Sequence, residues 1–354
     1  MASYYRALAF ALAGARRYGR DGYEAADLEP LREVQNLVGT AFVVTGGSRG
    51  IGFAVSEGLI RRGARVHVVC RDEATGASAR ERLNALGART GGSCELHVSD
   101  LSSLAQTRGL VEKLASRGEA LHGLVCNAGV MRRERTTSSE GYEYNFAVNT
   151  LGTHVLIAGL RPVLGRTAAE ATTKGGYAPR VVVVSSGGML TEPLDISDLE
   201  YRKHKTFDAV RQYARGKRHQ VAMTERWARV EGEKSGRGYV GFYSMHPGWC
   251  ETDGVATSLP RFNEQMRGKL RTPAQGADTV LWLLTEDPEK LVPGEFYFDR
   301  AVASKHITGG FTRYDPSAVD ALVQKLDTLA TEGSVRSERA GLRTQNSFNH
   351  MSTK

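Results

Sequence analysis

Three features of the sequence predict an α/β fold: a doubly wound, mostly parallel seven-stranded sheet with helices on both faces. From Val38 to about Ala330, short apolar runs alternate with longer stretches of helical character, the pattern of βαβ units. The first apolar run passes directly into a glycine-rich turn that opens a helix. Later runs end in residues such as "VSD" and "CNAG", at the strand ends where open α/β sheets hold ligands.

In chain order, "GTAFVVTGG" is the first strand and "RGIGFAVSEGLIRRGA" the first helix. "RVHVVC" follows, then a helix rich in Ala, Arg and Glu, then the third strand "CELHVSD". "LHGLVCNAG" is the fourth strand, and a long helix begins near "GYEYNFAVNTLGTHVLIAGL". "PRVVVVSS", "RGYVGFYSMHPG" and "GEFYFD" complete the sheet. No repeat and no second core is evident. The expected organisation is one domain of Rossmann type over residues 38–330, preceded by a basic amphipathic arm (1–37) and followed by a polar tail (331–354).

Composition narrows the function classes. A net charge of +8 and a pI near 9.3 invite a nucleic-acid partner, but the Lys and Arg form no long block and no recognisable module. Nucleic acid is therefore not expected; anionic cofactor phosphates or a membrane surface suit the charge equally well. Cys70, Cys94, Cys126 and Cys250 form no C-x-x-C and mostly sit in apolar runs. They read as reduced core cysteines of an intracellular protein, and the histidines show no metal-ligand spacing, so no metal is expected. The arm carries four Arg and no acid before Asp21, and its apolar run from Ala7 to Ala15 is too short to span a bilayer. A mitochondrial transit peptide, an interfacial helix and a docking arm remain open, and with them a mitochondrial or a membrane-associated cytoplasmic location.

The glycine turn "TGGSRGIG" places Gly46, Gly50 and Gly52 so that the backbone approaches a pyrophosphate at the first helix N-terminus. The second strand ends at Cys70, where an NAD site needs a carboxylate, and Arg71 follows. A guanidinium suits a phosphate dianion, with Arg49 as a second contact, so NADP(H) is expected ahead of NAD(H). Asp100 suits either an adenine amino group or a helix cap. Asn127, Ala128 and Gly129 form a tight turn against the cofactor.

A Tyr–Lys pair four apart occurs twice, as Tyr213/Lys217 and Tyr201/Lys205. Chance alone supplies about 0.4 such spacings in this composition. Tyr213 opens a stretch without Pro that a helix can run through, which puts Tyr213 and Lys217 on one face.

Taken in order, "TGGSRGIG", "NAG", "VVVVSS", Tyr-x-x-x-Lys and "HPGW" resemble the short-chain dehydrogenase/reductase family, over roughly residues 38–300. "VHVVCRD", "VSSGGM" and "AQGADTVLWLL" resemble its retinol-dehydrogenase-like branch. The resemblance selects Tyr213 and leaves Tyr201 as a solvated tyrosine in a loop. It implies a reaction interconverting a carbonyl and an alcohol by hydride transfer, with Tyr213 as general acid/base. Lys217 would lower the Tyr213 pKa and hold the nicotinamide ribose, Ser186 would bind the substrate oxygen, and Asn149 would hold a water relay behind the lysine. Ser185 is expected to face the other way. The implied cofactor contacts are Thr45, Gly46, Ser48, Arg49, Gly50, Ile51, Gly52, Arg71, Asp100, Leu101, Asn127, Ala128, Gly129, Tyr213, Lys217, Pro247, Gly248 and Thr252. At Thr252 a plain helix N-cap is the rival reading, and at Asn149 a helix-kink residue.

Two departures stand out. Cys126 replaces the first Asn of the usual "NNAG" turn, and Arg215 and Arg218 flank Lys217, adding positive charge if they lie close. The segments Leu190–Asp208 and Glu251–Leu270 are expected to wall a substrate pocket, charged and short of aromatics. The substrate is a small carbonyl or alcohol, lipophilic by resemblance, and a homodimer is open on the same ground. The competing reading is an accessory subunit of little or no activity, docked in a larger assembly through its ends.

Overall fold

A computed structural model describes residues 2–29, 31, 36–174, 176–233 and 239–351. The elements are α1 (Ala2–Arg17), α2 (Arg20–Glu24), β1 (Ala41–Thr45), α3 (Gly50–Ile60), β2 (Arg65–Cys70), α4 (Glu73–Thr90), β3 (Ser93–Val98), α5 (Leu104–Ala115) and β4 (Gly123–Cys126). They continue with α6 (Tyr144–Phe146), a π turn (Ala147–Gly152), α7 (Thr153–Lys174), β5 (Arg180–Val184), a 3-10 turn (Gly187–Thr191) and α8 (Ala209–Gly232). The rest are β6 (Gly241–Met245), α9 (Asp253–Ser258), α10 (Pro260–Gln265), α11 (Pro273–Thr285), β7 (Phe296–Phe298), β8 (Ala301–Ala303) and α12 (Pro316–Met351). α12 continues as helix through the stretch read as a tail, and residues 352–354 lie outside the described residues.

The strands lie in the order β3-β2-β1-β4-β5-β6-β7-β8, all parallel except β7 with β8. Strand order reverses between β1 and β4, so a crevice opens at their carboxyl ends, where such sheets bind ligands. The central strands are buried on both faces, which explains their uninterrupted Val runs. One core packs α5, α7, α8 and α12 on the sheet; the other packs α3 and α11 on its opposite face. Local signals set the helix starts. Asp72, Ser103 and Asp208 cap α4, α5 and α8, and Thr272 with Gln275 forms a capping box on α11.

The eighth strand corrects the expected seven. β7 turns into β8 through Asp299 and Arg300, both left-handed (φ 49° and 58°), the geometry of a tight two-residue hairpin. Neither residue is the Asn or Gly that normally announces it. Their side chains hold the turn: Asp299 takes both Arg271 nitrogens at 2.6 and 3.0 Å, and Arg300 binds both Asp278 oxygens. Left-handed non-glycine residues cost about 1–3 kcal/mol each. Removing one partner of a buried ion pair strands the other charge at a cost of about 3–5 kcal/mol, so both pairs are needed intact to hold the turn.

The N-terminal segment folds back onto this end of the sheet. Arg6 is buried and donates to the carbonyls of Thr191 (2.6 Å) and Gly310 (3.1 Å). At Gly14 the helix touches the Trp249 indole so closely that a Cβ would stand 2.2 Å from it. Tyr18 packs on His246, Trp249 and Phe298. Among the described residues, no helix is long and apolar enough to cross a membrane.

Several histidines are buried without charge. Burial lowers His97 to about 4 and both His219 and His246 to about 3, well under their unfolded value of about 6.5. Such groups contribute stability above pH 6.5 that is lost as pH falls, because the unfolded chain takes up protons the folded one refuses. Thermal unfolding should therefore be steady from pH 8 to 7 and fall steeply from about 6.5 to 4. His246→Phe, which keeps the contacts with Tyr18 and Phe298, should flatten that fall when measured by calorimetry across the same range.

Candidate active site

β1 delivers its last residue, Thr45, to the sheet's carboxyl edge, where the hydroxyl ties two turns together. It accepts the N–H groups of Asn127 and Ala128, both at 3.0 Å, and donates to Val125 at 3.2 Å. The Asn127 amide returns a bond to the Thr45 carbonyl at 2.9 Å. Gly46 and Gly50 turn the chain with φ of +63° and +54°. A Cβ on Gly52 would lie 2.2 Å from the Gly46 carbonyl and 2.5 Å from the Asn127 amide. The turn is thus a tight cradle of backbone N–H groups at the start of α3, and no side chain caps that helix. These residues fit a dinucleotide pyrophosphate.

At the end of β2 the Cys70 thiol is bonded to Ser48 and to the Asp72 carbonyl. The Asp72 carboxylate caps α4 through the Thr75 N–H at 2.8 Å, so the nearest acid is turned to its own helix. Arg71 is exposed and donates at 3.3 Å to the Tyr144 hydroxyl, which donates at 3.3 Å to Asp100. Tyr144, with Arg132 stacked 3.4 Å over its ring, has no motif that marks it in the sequence. Arg49 is exposed and only loosely paired, 3.6 Å from Asp253. Ser103, not Asp100, caps α5; Asp100 accepts from Ser102 and Gln106 side-chain oxygen accepts from its N–H. Leu101 is buried in the core.

α8 carries Tyr213 and Lys217 one turn apart on the cleft face, with the Lys217 Nζ 5.5 Å from the Tyr213 ring centre. Ser186, just beyond β5, shares a hydrogen bond with the Tyr213 phenol. Ser185 points away, as strand alternation demands, and donates to the Lys217 carbonyl at 2.9 Å, fixing α8 to the sheet. The Lys217 ammonium donates to the Val184 carbonyl (2.8 Å) and to Gln220 (3.1 Å). Asn149 lies in the π turn, where its amide grips both the N–H (2.9 Å) and the C=O (2.8 Å) of Val130. Cys126 is buried, its thiol pushed up to about 12, and Asn127 keeps its place beside it.

The electrostatics differ from the expectation. Burial drives Tyr213 up to about 12, against a smaller lowering by Ser186, and pulls Lys217 down to about 7. Desolvation therefore outweighs the attraction between ammonium and phenolate. Arg215 and Arg218 do not reach the phenol. They are buried on other faces of α8, Arg215 on Asp195 and the Asp198 carbonyl, Arg218 on the carbonyls of Glu192 and Lys305. Tyr201 does lie in the loop before α8, but it is only 2% exposed rather than solvated, stacked on His204 and flanked by Arg211 and Arg215.

These groups meet in a cleft of about 1180 Å3 lined by Arg49, Ile51, Arg71, Asn127, Gly129, Ser186, Tyr213, Lys217, Pro247, Gly248 and Thr252. Thr252 also caps α9 through the Val255 N–H at 3.2 Å, so the cap reading holds. The expected walls are present in part: Leu190–Asp208 contributes Thr191 and Glu192, and Glu251–Leu270 contributes residues 252–255, 257–259 and Phe262. The charged, aromatic-poor wall needs correction, because Trp249, Phe262 and Phe10 of α1 all face the cleft. The α1 contribution was not legible, since nothing in a helix's own sequence states where it docks.

The sheet register also joins histidines that are far apart in sequence. His67, Glu95 and His97 bring donor atoms within 4.8 Å of one another. Arg117 holds both Glu95 oxygens (2.5 and 2.7 Å) and Glu119 lies 2.9 Å from His67, a charge-compensated network that does not line the cleft.

Comparison with known proteins agrees with this architecture. The family described as short chain dehydrogenase matches residues 40–191. The chain belongs to the short-chain dehydrogenase/reductase family, oxidoreductases that act on small molecules with a nicotinamide cofactor. It is 38% identical to the human protein called dehydrogenase/reductase SDR family member 12 over 333 residues, 93% of this chain and 98% of that one. Mouse retinol dehydrogenase 14 is 31% identical over 278 residues, 74% of this chain and 78% of that one. The Pseudomonas aeruginosa RhlG/NADP active-site complex has the same fold, with a TM-score of 0.58 and 22% identity over 75% of this chain and 96% of that one.

Proposed function

We propose that the chain is an NADP(H)-dependent oxidoreductase that reduces a lipophilic carbonyl to an alcohol, with Tyr213 as the proton donor. The observation that carries the reading is the meeting of Tyr213, Ser186 and Lys217 on the floor of one cleft, beside the glycine cradle. The bound cofactor supplies the hydride. Tyr213 and Ser186 present two hydroxyls to one substrate oxygen, and a phenol held protonated at neutral pH suits proton donation to a carbonyl. Lys217 supplies positive charge behind the phenol and a donor for the ribose.

Arg71 and the absence of a free acid at the end of β2 support the phosphorylated dinucleotide. Phe10, Trp249 and Phe262 in the wall support a lipophilic substrate, in keeping with the retinol dehydrogenase name of a relative. The outer face of α1, with Tyr4, Leu8 and Leu12 exposed and no acid in the helix, suits contact with an anionic lipid surface.

Assays with NADPH and aldehydes and ketones of increasing chain length test the reading. Tyr213→Phe should lower kcat by about 10²–10⁴ while NADPH still binds; unchanged turnover would refute the mechanism. Reduction should be supported below about pH 7 and decline as pH rises through the Lys217 value, because Tyr213 stays protonated over that range while the lysine loses its charge. Arg71→Glu should raise KM for NADPH by about 10- to 100-fold, the value of a charge-assisted hydrogen bond, and leave that for NADH nearly unchanged.

A further inference from the structure

Behind Lys217 the site is closed by a side chain that no motif marks. Gln220 lies three residues further along α8, on the same face, and is fully buried. Its Nε2 donates to the Asn149 carbonyl at 2.7 Å, and its Oε1 accepts from the Lys217 Nζ at 3.1 Å. Neither end of the amide is free to flip, since a carbonyl takes only a donor and an ammonium only an acceptor. Asn149 is itself bonded through its amide to both backbone groups of Val130 and set in a π turn whose i→i+5 register shifts its carbonyl off the α-helical ladder.

We propose that Gln220 is a positioning residue for the reaction, holding the Lys217 amino group level with Tyr213. The proposal rests on the function given above. A carboxamide in its stable form joins donor to acceptor without passing a proton along, whereas a hydroxyl or a water passes one. The amide therefore joins the Asn149 carbonyl to the Lys217 amino group as a fixed strut.

Two substitutions of opposite character test it. Gln220→Leu removes the acceptor and should move the basic limb of the reduction profile about one unit lower, because the charged lysine loses a hydrogen bond. Turnover should fall about tenfold or more through misplacement of the amino group, with KM for the carbonyl nearly unchanged. Gln220→Glu places a carboxylate against the ammonium and should move the same limb upward. The limb is read alongside NADPH affinity by nucleotide fluorescence and the melting temperature. Shifts of opposite sign support the proposal. A limb that stays in place in both variants overturns it, even where melting falls, since that is a packing effect alone. If Gln220→Leu does not fold, Gln220→Glu decides by itself, and an unmoved limb overturns the proposal. Loss of turnover in Tyr213→Phe with unmoved Gln220 limbs sinks only the strut. A wild-type chain that neither binds NADPH nor reduces any carbonyl overturns both readings.

Discussion

A lysine ammonium buried at the carboxyl end of β5 sets the terms for everything around it. Withdrawing such a charge from water costs several kcal/mol unless acceptors surround it. Lys217 finds them in the Val184 carbonyl and the Gln220 amide, and the strand that offers Val184 also offers Ser185 to pin the helix backbone. One strand end thus holds the helix, feeds the ammonium and, with Ser186, meets the phenol. Shifting α8 along the sheet would break all three relations at once, which is why the register of helix on strand matters more here than any single contact.

Much of this was written into local sequence. Parallel strands buried on both faces show as apolar runs, and "RVVVVSS" and "RVHVVC" became β5 and β2 for that reason. The glycine turn is equally legible, because Gly46, Gly50 and Gly52 stand where side chains collide or backbone angles turn positive. Tyr213 was singled out by the family resemblance, and the helix that carries it and Lys217 on one face agrees with that choice.

What stayed hidden depends on partners distant in the chain. β8 exists because Arg271 and Asp278 stabilise a turn that lacks the usual residues. Tyr201 is buried because His204, Arg211 and Arg215 close over it. The raised phenol and lowered lysine could not be read from a spacing of four, which measures separation along a helix and says nothing of how much water reaches either group. Gln220 was hidden for a simpler reason: its value comes entirely from facing a carbonyl in another element.

The seating of α1 has a consequence for the order in which the molecule is completed. Residues 2–17 are made before the elements they pack on, since Arg6 needs the carbonyls of Thr191 and Gly310, and Gly14 needs Trp249. The cradle for the pyrophosphate draws on residues up to Asn127 and Ala128, whereas the seat of α1, and with it the wall that includes Phe10, draws on residues as late as Gly310. The two halves of the site therefore differ in the span of chain that must be made before each is complete.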